Sequence, residues 1–262
     1  HRRADARAID VITFDDALRC QYDIALPVLR HYGLRAFWFI YSSVFDGIKE
    51  RLEVYRHYRT VAFDSVDAFY AKFLDAAAAG DHAEQVRSAL SKFEPAAYLP
   101  QFPFYTAQDR TFRYLRDRVL GEGAYFAIMD GMVSEWLAGE PDIGDLLWMD
   151  AEAVLDLKDE GHEIGLHSYS HPTAMGALSP ERQRDEYERN RRHLTDRLGI
   201  VPKTMSHPCN SYNAATLELM REFGVRVGFC SNRGPVDGRS LLEMPREDHA
   251  NIMSRLRQRQ TA

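Results

Sequence analysis

Two short segments of this 262-residue chain combine residue types that bind divalent metal ions. His167 and His171 follow an apolar run that ends at Leu166. Far upstream, another apolar run ends in two adjacent carboxylates, Asp15 and Asp16. Neutral imidazoles and a carboxylate form the ligand sets of zinc sites, and catalytic zinc sites keep one coordination position open. The residue types and their spacing therefore predict one metal site built from two distant segments.

Both segments fall at the ends of predicted strands. Residues 9–14 are short, β-branched and apolar, as in a buried parallel strand, and residues 162–167 form a second such run. A helix predicted over 18–32, closed by Gly33, and a strand at 34–41 complete a β-α-β opening. Because the carboxyl ends of parallel strands share one edge of a barrel, we expect the chemistry at that edge.

The alternation of helices and strands resumes near residue 150. We expect helices at 150–160, from Ser179 to about Leu198, and at 214–223, with strands at 203–206 and 225–231. The charged face of the Ser179 helix is interpreted as a solvated surface. Residues 42–147 have a helical pattern without motif chemistry. The chain is therefore expected to be a single domain, 1–262, with a helical insertion at 42–147.

The two segments resemble the first two motifs of a known enzyme family. Thr13 to Asp16 and His167 to His171 are similar to those of the NodB-homology polysaccharide deacetylases, carbohydrate esterase family 4. The resemblance extends over roughly residues 9–41 and 147–231. It implies an α/β fold, a distorted (β/α)7-type NodB barrel with a large helical insertion. It also implies a metal-dependent hydrolase that removes N-acetyl groups from a sugar or polysaccharide precursor, in surface polysaccharide synthesis or modification.

The resemblance implies a role for each motif residue. Asp16, His167 and His171 would hold a divalent metal ion, with zinc expected, and Asp15 would be the general base. A helix N-cap pair after a strand is the simpler alternative for the two aspartates.

The third family motif differs in this chain. Ser206 stands where the family has an arginine that orients the base, and Cys209 stands at an aromatic position. The oxyanion role belongs to a backbone N–H, so Cys209 can keep it, with Tyr212 nearby in the same substrate-binding motif. A cysteine nucleophile at Cys209, with His207 as its base, is a further alternative.

The C-terminal segment offers replacements for what the third motif lacks. Arg246 is expected to supply the missing cation near Asp15, from the end of a strand at 241–244 that runs beside the strand of Asp15. His249 is the first candidate for the general acid and His207 is the second. A surface turn and a strand-end hydrogen bond are equally good interpretations of these two histidines.

Composition restricts the classes of partner and location. A net charge of −6 argues against nucleic acid or an anionic membrane, and no apolar run reaches the length of a membrane span. Three widely spaced cysteines argue against a disulfide framework and favour a cytoplasmic location. The expected partner is an N-acetylated saccharide. Two alternatives remain: hydrolysis of another linear amide such as a formamide, and a non-catalytic carbohydrate-binding module on a decayed deacetylase scaffold.

Overall fold

The computed structural model describes residues 10–100, 105–138, 143–231 and 240–260. The chain divides into two compact units, one formed by His1–Glu50 with Gly144–Ala262 and the other by Arg51–Ile143. None of the described helices is both long and apolar enough to cross a membrane.

Five parallel strands form the sheet of the first unit, in chain order from one edge to the other. They are β1 (Ile12–Asp15), β2 (Ala36–Ile40), β3 (Glu163–Leu166), β4 (Thr204–Ser206) and β5 (Val227–Phe229). The sheet curls into half a barrel. The predicted α/β barrel class is confirmed, with five strands in the described residues where the family type has seven.

Eleven α-helices lie within the described residues. They are α1 (Leu26–Tyr32), α2 (Arg51–Val61), α3 (Val66–Ala79), α4 (Ala83–Leu90), α5 (Ala107–Tyr114), α6 (Gly121–Trp136), α7 (Ile143–Leu147), α8 (Ala151–Asp159), α9 (Pro180–Arg192), α10 (Ala214–Glu222) and α11 (His249–Gln260). The helix predicted at 18–32 is divided into a π-helical turn, Gln21–Ala25, and α1. Pro27 has no backbone N–H, so it cannot donate an α-helical hydrogen bond to the preceding turn. The missing bond accounts for the division.

Alternate strand residues face opposite sides of the sheet, and the two sides differ in chemistry. The convex side packs against helices in the main apolar core and carries Phe14, Trp38, Ile40, Ile164, Leu166 and Met205. The concave side carries the polar residues Thr13, Asp15, Thr204 and Ser206. Because the apolar residues anchor the strands on the convex side, the polar residues on the concave side are held on a rigid support.

The second unit is built from helices α2–α6 in the described residues. Its core is aromatic, with Phe69, Phe73, Phe112 and Tyr125 in mutual ring contact. The insertion predicted at 42–147 overlaps this unit, although the turn Ser43–Asp46 belongs to the first unit. The description of the chain as a single domain stays a prediction.

Gly165 provides a test of how tightly the concave side is packed. A Cβ atom there would lie 2.6 Å from Thr204 Oγ1 and 2.7 Å from the Phe39 ring, and the neighbours would have to move. Gly165→Ala should therefore destabilise the protein by about 1–3 kcal/mol, measured by urea denaturation. Gly123→Ala in α6, where a Cβ meets no atom within 4 Å, is the matched control. It should be neutral or stabilising by up to about 1 kcal/mol, so equal losses in both variants would contradict this packing.

Candidate metal centre and base

Asp16, His167 and His171 converge just beyond the carboxyl ends of β1 and β3. Asp16 Oδ1 lies 3.2 Å from His167 Nε2 and 3.3 Å from His171 Nε2. One ligand atom from each of the three residues lies within 4.8 Å of the others. Two imidazole nitrogens and one carboxylate oxygen directed at the same point form the donor set of a divalent metal site. The residues present therefore fit the ion that the family resemblance implies.

The ring of His167 is oriented by a hydrogen bond behind it. Its Nδ1 lies 2.9 Å from the carbonyl oxygen of Ser206. Because a carbonyl oxygen only accepts, Nδ1 carries a proton and Nε2 is the nitrogen directed at Asp16. Burial disfavours the charged ring, but the carboxylates of Asp15 and Asp16 outweigh burial and raise the pKa of His167 above its ordinary value. These neighbours thus favour a positive charge between the His167 imidazole and the Asp16 carboxylate.

Polar side chains of α9 hold the loop that carries both histidines. Asn190 Oδ1 accepts the backbone N–H of His167 at 3.1 Å. Glu186 accepts the backbone N–H groups of Tyr169 and Ser170 at 3.1 and 2.8 Å. One face of α9 thus positions the candidate metal ligands, whereas the solvated surface was predicted for its charged outer face.

Asp15 is paired with Arg246, which comes from the segment after β5. The guanidinium binds both carboxylate oxygens, with Nη1 2.8 Å from Oδ1 and Nη2 2.7 Å from Oδ2. Its Nε donates to the carbonyl of Cys230 at 2.9 Å, and Nη1 also donates to Thr13 Oγ1 at 3.1 Å. Ser206 Oγ accepts from Nη2 at 2.8 Å and donates to Asp15 Oδ2 at 3.1 Å. Arg246 thus supplies the cation that Ser206 cannot.

The segment that carries Arg246 is not the strand predicted beside β1. Leu241–Glu243 forms a single 3-10 turn. Ser240 caps it, because its hydroxyl accepts the Leu242 N–H and its own backbone N–H donates to the Glu243 carboxylate at 3.2 Å. The next residue, Met244, forms a parallel bridge with Phe229 of β5. The capping pair favours a turn over a strand here. The arginine therefore reaches Asp15 from β5, across the concave side of the sheet.

The structure does not favour either of the two histidines considered as the general acid. His249 begins α11 with a side chain that is 91% exposed, paired with Asp248 at 3.5 Å, so the structure does not bring it to Asp15. His207 is buried, and its Nε2 lies 2.8 Å from the carbonyl oxygen of Leu242. Burial lowers the pKa of His207 to about 4, so at pH 7 its single proton is donated to that carbonyl.

The remaining third-motif residues lie in the turn that follows β4. Cys209, with φ 49°, lies in the 3-10 turn Pro208–Asn210, and its side chain is exposed. Tyr212 stacks on His207 with ring centroids 4.1 Å apart, and its hydroxyl donates to Glu243 Oε1 at 3.0 Å. Within the described part of the chain, neither ring nitrogen of His207 is bonded to Cys209. The imidazole is therefore not arranged as the base of a cysteine nucleophile, and the oxyanion role of the Cys209 N–H stays a prediction.

Backbone conformations that are uncommon for side-chain-bearing residues cluster in these loops. Seven non-glycine residues of the described chain have positive φ, and six of them belong to the segments that carry the candidate site: Asp16, Ala17, Ser168, His171, Cys209 and Asn210. Such conformations cost roughly 1–2 kcal/mol each and persist where the surroundings enforce them. Local strain of this kind is typical of functional sites.

The buried, neutral state of His207 predicts how stability depends on pH. In the unfolded chain its pKa returns to about 6.5, so between pH 6.5 and 4 the unfolded state binds a proton that the native state does not. Stability should be full above that window and fall as the pH drops through it, by at most about 3 kcal/mol. Urea denaturation at pH 7 and 4.5, with chelator present, measures the loss. His207→Gln should reduce it, and an unchanged pH dependence in that variant would contradict the assignment.

Comparison with known proteins adds a sequence match and a fold match. Residues 110–228 match the model of the polysaccharide deacetylase family. The uncharacterized protein YlxY of Bacillus subtilis (strain 168) is 32% identical over 63 residues, which are 24% of this chain and 19% of that protein. The chain thus spans about a fifth of this curated relative.

Among solved structures, the Streptococcus pyogenes deacetylase PplD in complex with acetate matches with a TM-score of 0.50 and 14% identity, over 93% of this chain and 66% of that one. The BpsB deacetylase domain from Bordetella bronchiseptica matches with a TM-score of 0.48 and 12% identity, over 90% of this chain and 69% of that one. At such identities the likeness to PplD concerns the fold. The family model matches residues 110–228, a little under half of the chain, and the motif residues and the parallel half-barrel agree with it, so the chain is similar to the NodB-homology polysaccharide deacetylases.

Proposed function

We propose that this protein is a metal-dependent hydrolase that removes N-acetyl groups from a sugar or a polysaccharide precursor. The observation that carries the proposal is the division between two adjacent aspartates. Asp16 faces His167 and His171, whereas Asp15 is held by Arg246 and Ser206. One carboxylate is thus available as a metal ligand and the other as a base, and the hydrolysis of an amide needs both functions.

Asp16, His167 and His171 would hold the ion, for which zinc fits the nitrogen-rich donor set. A divalent ion bound there lowers the pKa of a water molecule toward about 7 and polarises the amide carbonyl. The hydrogen bond from His167 Nδ1 to Ser206 orients the ring so that Nε2 is the nitrogen that would bind the ion. The protein's own contribution is to fix the ligands before the substrate arrives.

Asp15 acts as the general base. Its carboxylate takes a proton from the attacking water, the oxygen bonds to the acetyl carbon, and the carbon–nitrogen bond then breaks. The N–H of Cys209 is proposed to bind the carbonyl oxygen as negative charge develops on it.

The departing nitrogen needs the proton back. His249 is exposed, and His207 donates its proton to Leu242. We therefore assign the return of the proton to Asp15 itself, so that acetate and a free amine leave. The fork of Arg246 keeps this carboxylate in one orientation for both transfers.

Two alternatives are separated by the product. A formamide hydrolase would release formate and not acetate from matched N-acyl substrates. The missing motif arginine suggests the non-catalytic binding module, but the ion pair of Arg246 with Asp15 supports the hydrolase. Such a module would bind saccharide without releasing either acid. Acetate release from N-acetylated oligosaccharides, assayed together with metal content, decides among the three.

The first prediction of this proposal concerns the metal. The His167→Ala/His171→Ala double variant should lose stoichiometric zinc, since one remaining ligand cannot hold it, and each single variant should bind much more weakly. Elemental analysis after dialysis against a metal buffer measures the content independently of activity. His31→Ala, a substitution on the exposed side of α1, should keep its metal. Full occupancy in the double variant would refute the ligand assignment.

The second prediction concerns the base. Asp15→Asn and Arg246→Ala should both retain zinc yet lose activity, with about a 10²- to 10⁴-fold fall in kcat for loss of general base catalysis in the asparagine variant. Arg30→Ala is the matched control, because Arg30 makes a similar two-oxygen pair with Glu160 on the surface of the same unit. It should keep nearly full activity. If Asp15→Asn is purified without metal, or turns over normally, the division of roles between the aspartates is wrong.

A further inference from the structure

Arg246 reaches Asp15 because the preceding segment, Ser240–Met244, is attached to the end of β5. Two backbone hydrogen bonds make this attachment, from Met244 N to Gly228 O and from Cys230 N to Met244 O, each 2.8 Å long. Leu242 is buried in the main apolar core at 3% exposed, whereas Leu241 is 66% exposed. One apolar side chain therefore anchors the segment, and polar contacts fix the direction in which it runs.

Two side chains from the loop after β4 supply those contacts. His207 Nε2 donates to the carbonyl of Leu242 at 2.8 Å, and the Tyr212 hydroxyl donates to Glu243 Oε1 at 3.0 Å. The two rings stack on each other, 21° from parallel. Each ring thus restricts the other, and together they bind two consecutive residues of the turn.

The turn lies directly on the backbone of β5. A Cβ atom at Gly228 would come within 2.5 Å of the Leu242 carbonyl oxygen, so only a glycine fits beneath the turn. Arg246 uses all three guanidinium nitrogens for its contacts on the concave side. A two-oxygen arginine–carboxylate pair depends strongly on direction. A shift of the turn would therefore pull the guanidinium away from Asp15.

We infer that His207 and Tyr212 are positioning residues, which dock the turn Leu241–Glu243 so that Arg246 holds Asp15 in its catalytic orientation. This assignment replaces the acid role considered for His207 and the substrate-contact role considered for Tyr212. Its kinetic consequences rest on the proposed function, whereas its structural consequence does not.

Two substitutions of His207 separate positioning from acid catalysis. His207→Gln keeps a neutral N–H donor at about the reach of Nε2 but cannot serve as an acid at neutral pH. His207→Leu keeps the bulk and loses the donor. If His207 positions the turn, His207→Gln should keep kcat within about threefold. His207→Leu should lower kcat by about 10²-fold, the typical cost of misplacing a catalytic group by about 1 Å, with KM and zinc content little changed.

Chemical labelling gives a readout that needs no activity. The Arg246 side chain is only 14% exposed, so phenylglyoxal should modify it slowly in the unaltered protein. Site-resolved mass spectrometry should show faster modification of Arg246 in His207→Leu but not in His207→Gln. The labelling rate at exposed arginines of the same samples controls for general unfolding.

Tyr212→Phe is a second, milder variant that preserves the stacked ring. Losing the bond to the Glu243 carboxylate should lower kcat roughly tenfold and speed the labelling of Arg246. Tyr22→Phe is its matched control, because the Tyr22 hydroxyl donates to Asp156 at 2.6 Å, away from the turn. Tyr22→Phe should change neither kcat nor the labelling rate of Arg246.

The inference is overturned if His207→Gln is as inactive as His207→Leu while Arg246 stays protected in both. It is also overturned if Tyr212→Phe and His207→Leu both label like the unaltered protein. If no substrate is hydrolysed at all, the proposed function fails, but the labelling pattern still supports or refutes the docking role.

Discussion

The ion pair between Arg246 and Asp15 is the interaction on which the candidate site depends. Consecutive carboxylates at a partly buried strand end bring two negative charges together, and such an arrangement is costly unless each meets a positive partner. The guanidinium provides one partner, and the histidine pair with its ion would provide the other. The unusual turn at Asp16, with φ 79°, directs the two side chains to these separate partners.

The sheet supplies the rigidity that this separation requires. Its convex side is a continuous apolar core, so strand ends are fixed relative to one another before any ligand binds. The polar face of α9 then restrains the histidine loop from one direction, and the turn after Ser240 restrains the base from another. The first restraint is a set of hydrogen bonds to backbone N–H groups and the second acts through the ion pair of Arg246 with Asp15, so both depend on direction.

Much of the fold and part of the site could be predicted from the sequence, for identifiable reasons. Strand-end motifs are local in sequence, so a metal site between the aspartate pair and the histidine pair could be expected from their spacing. The family resemblance singled out Asp16, and Arg246 followed from the charge that Ser206 lacks. The exposure of His249 could not be predicted, because it depends on where α11 begins. Asn190 and Glu186 were also missed. Only their four-residue spacing beside the buried Tyr187 indicated that they face the interior. The charged residues that dominate the helix obscured this pattern.

The chain leaves the sheet after β2 and returns to pair with it in β3, where Trp38 lies opposite Ile164. The whole of the second compact unit lies between these paired strands in the sequence. The entropic cost of closing so long a loop grows only with the logarithm of its length. Doubling the length therefore adds about 0.6 kcal/mol to the free energy of closure. The strand register, in contrast, is set by local hydrogen bonds between β2 and β3. We therefore expect insertions and deletions between the two strands to leave the register of β2 with β3 unchanged.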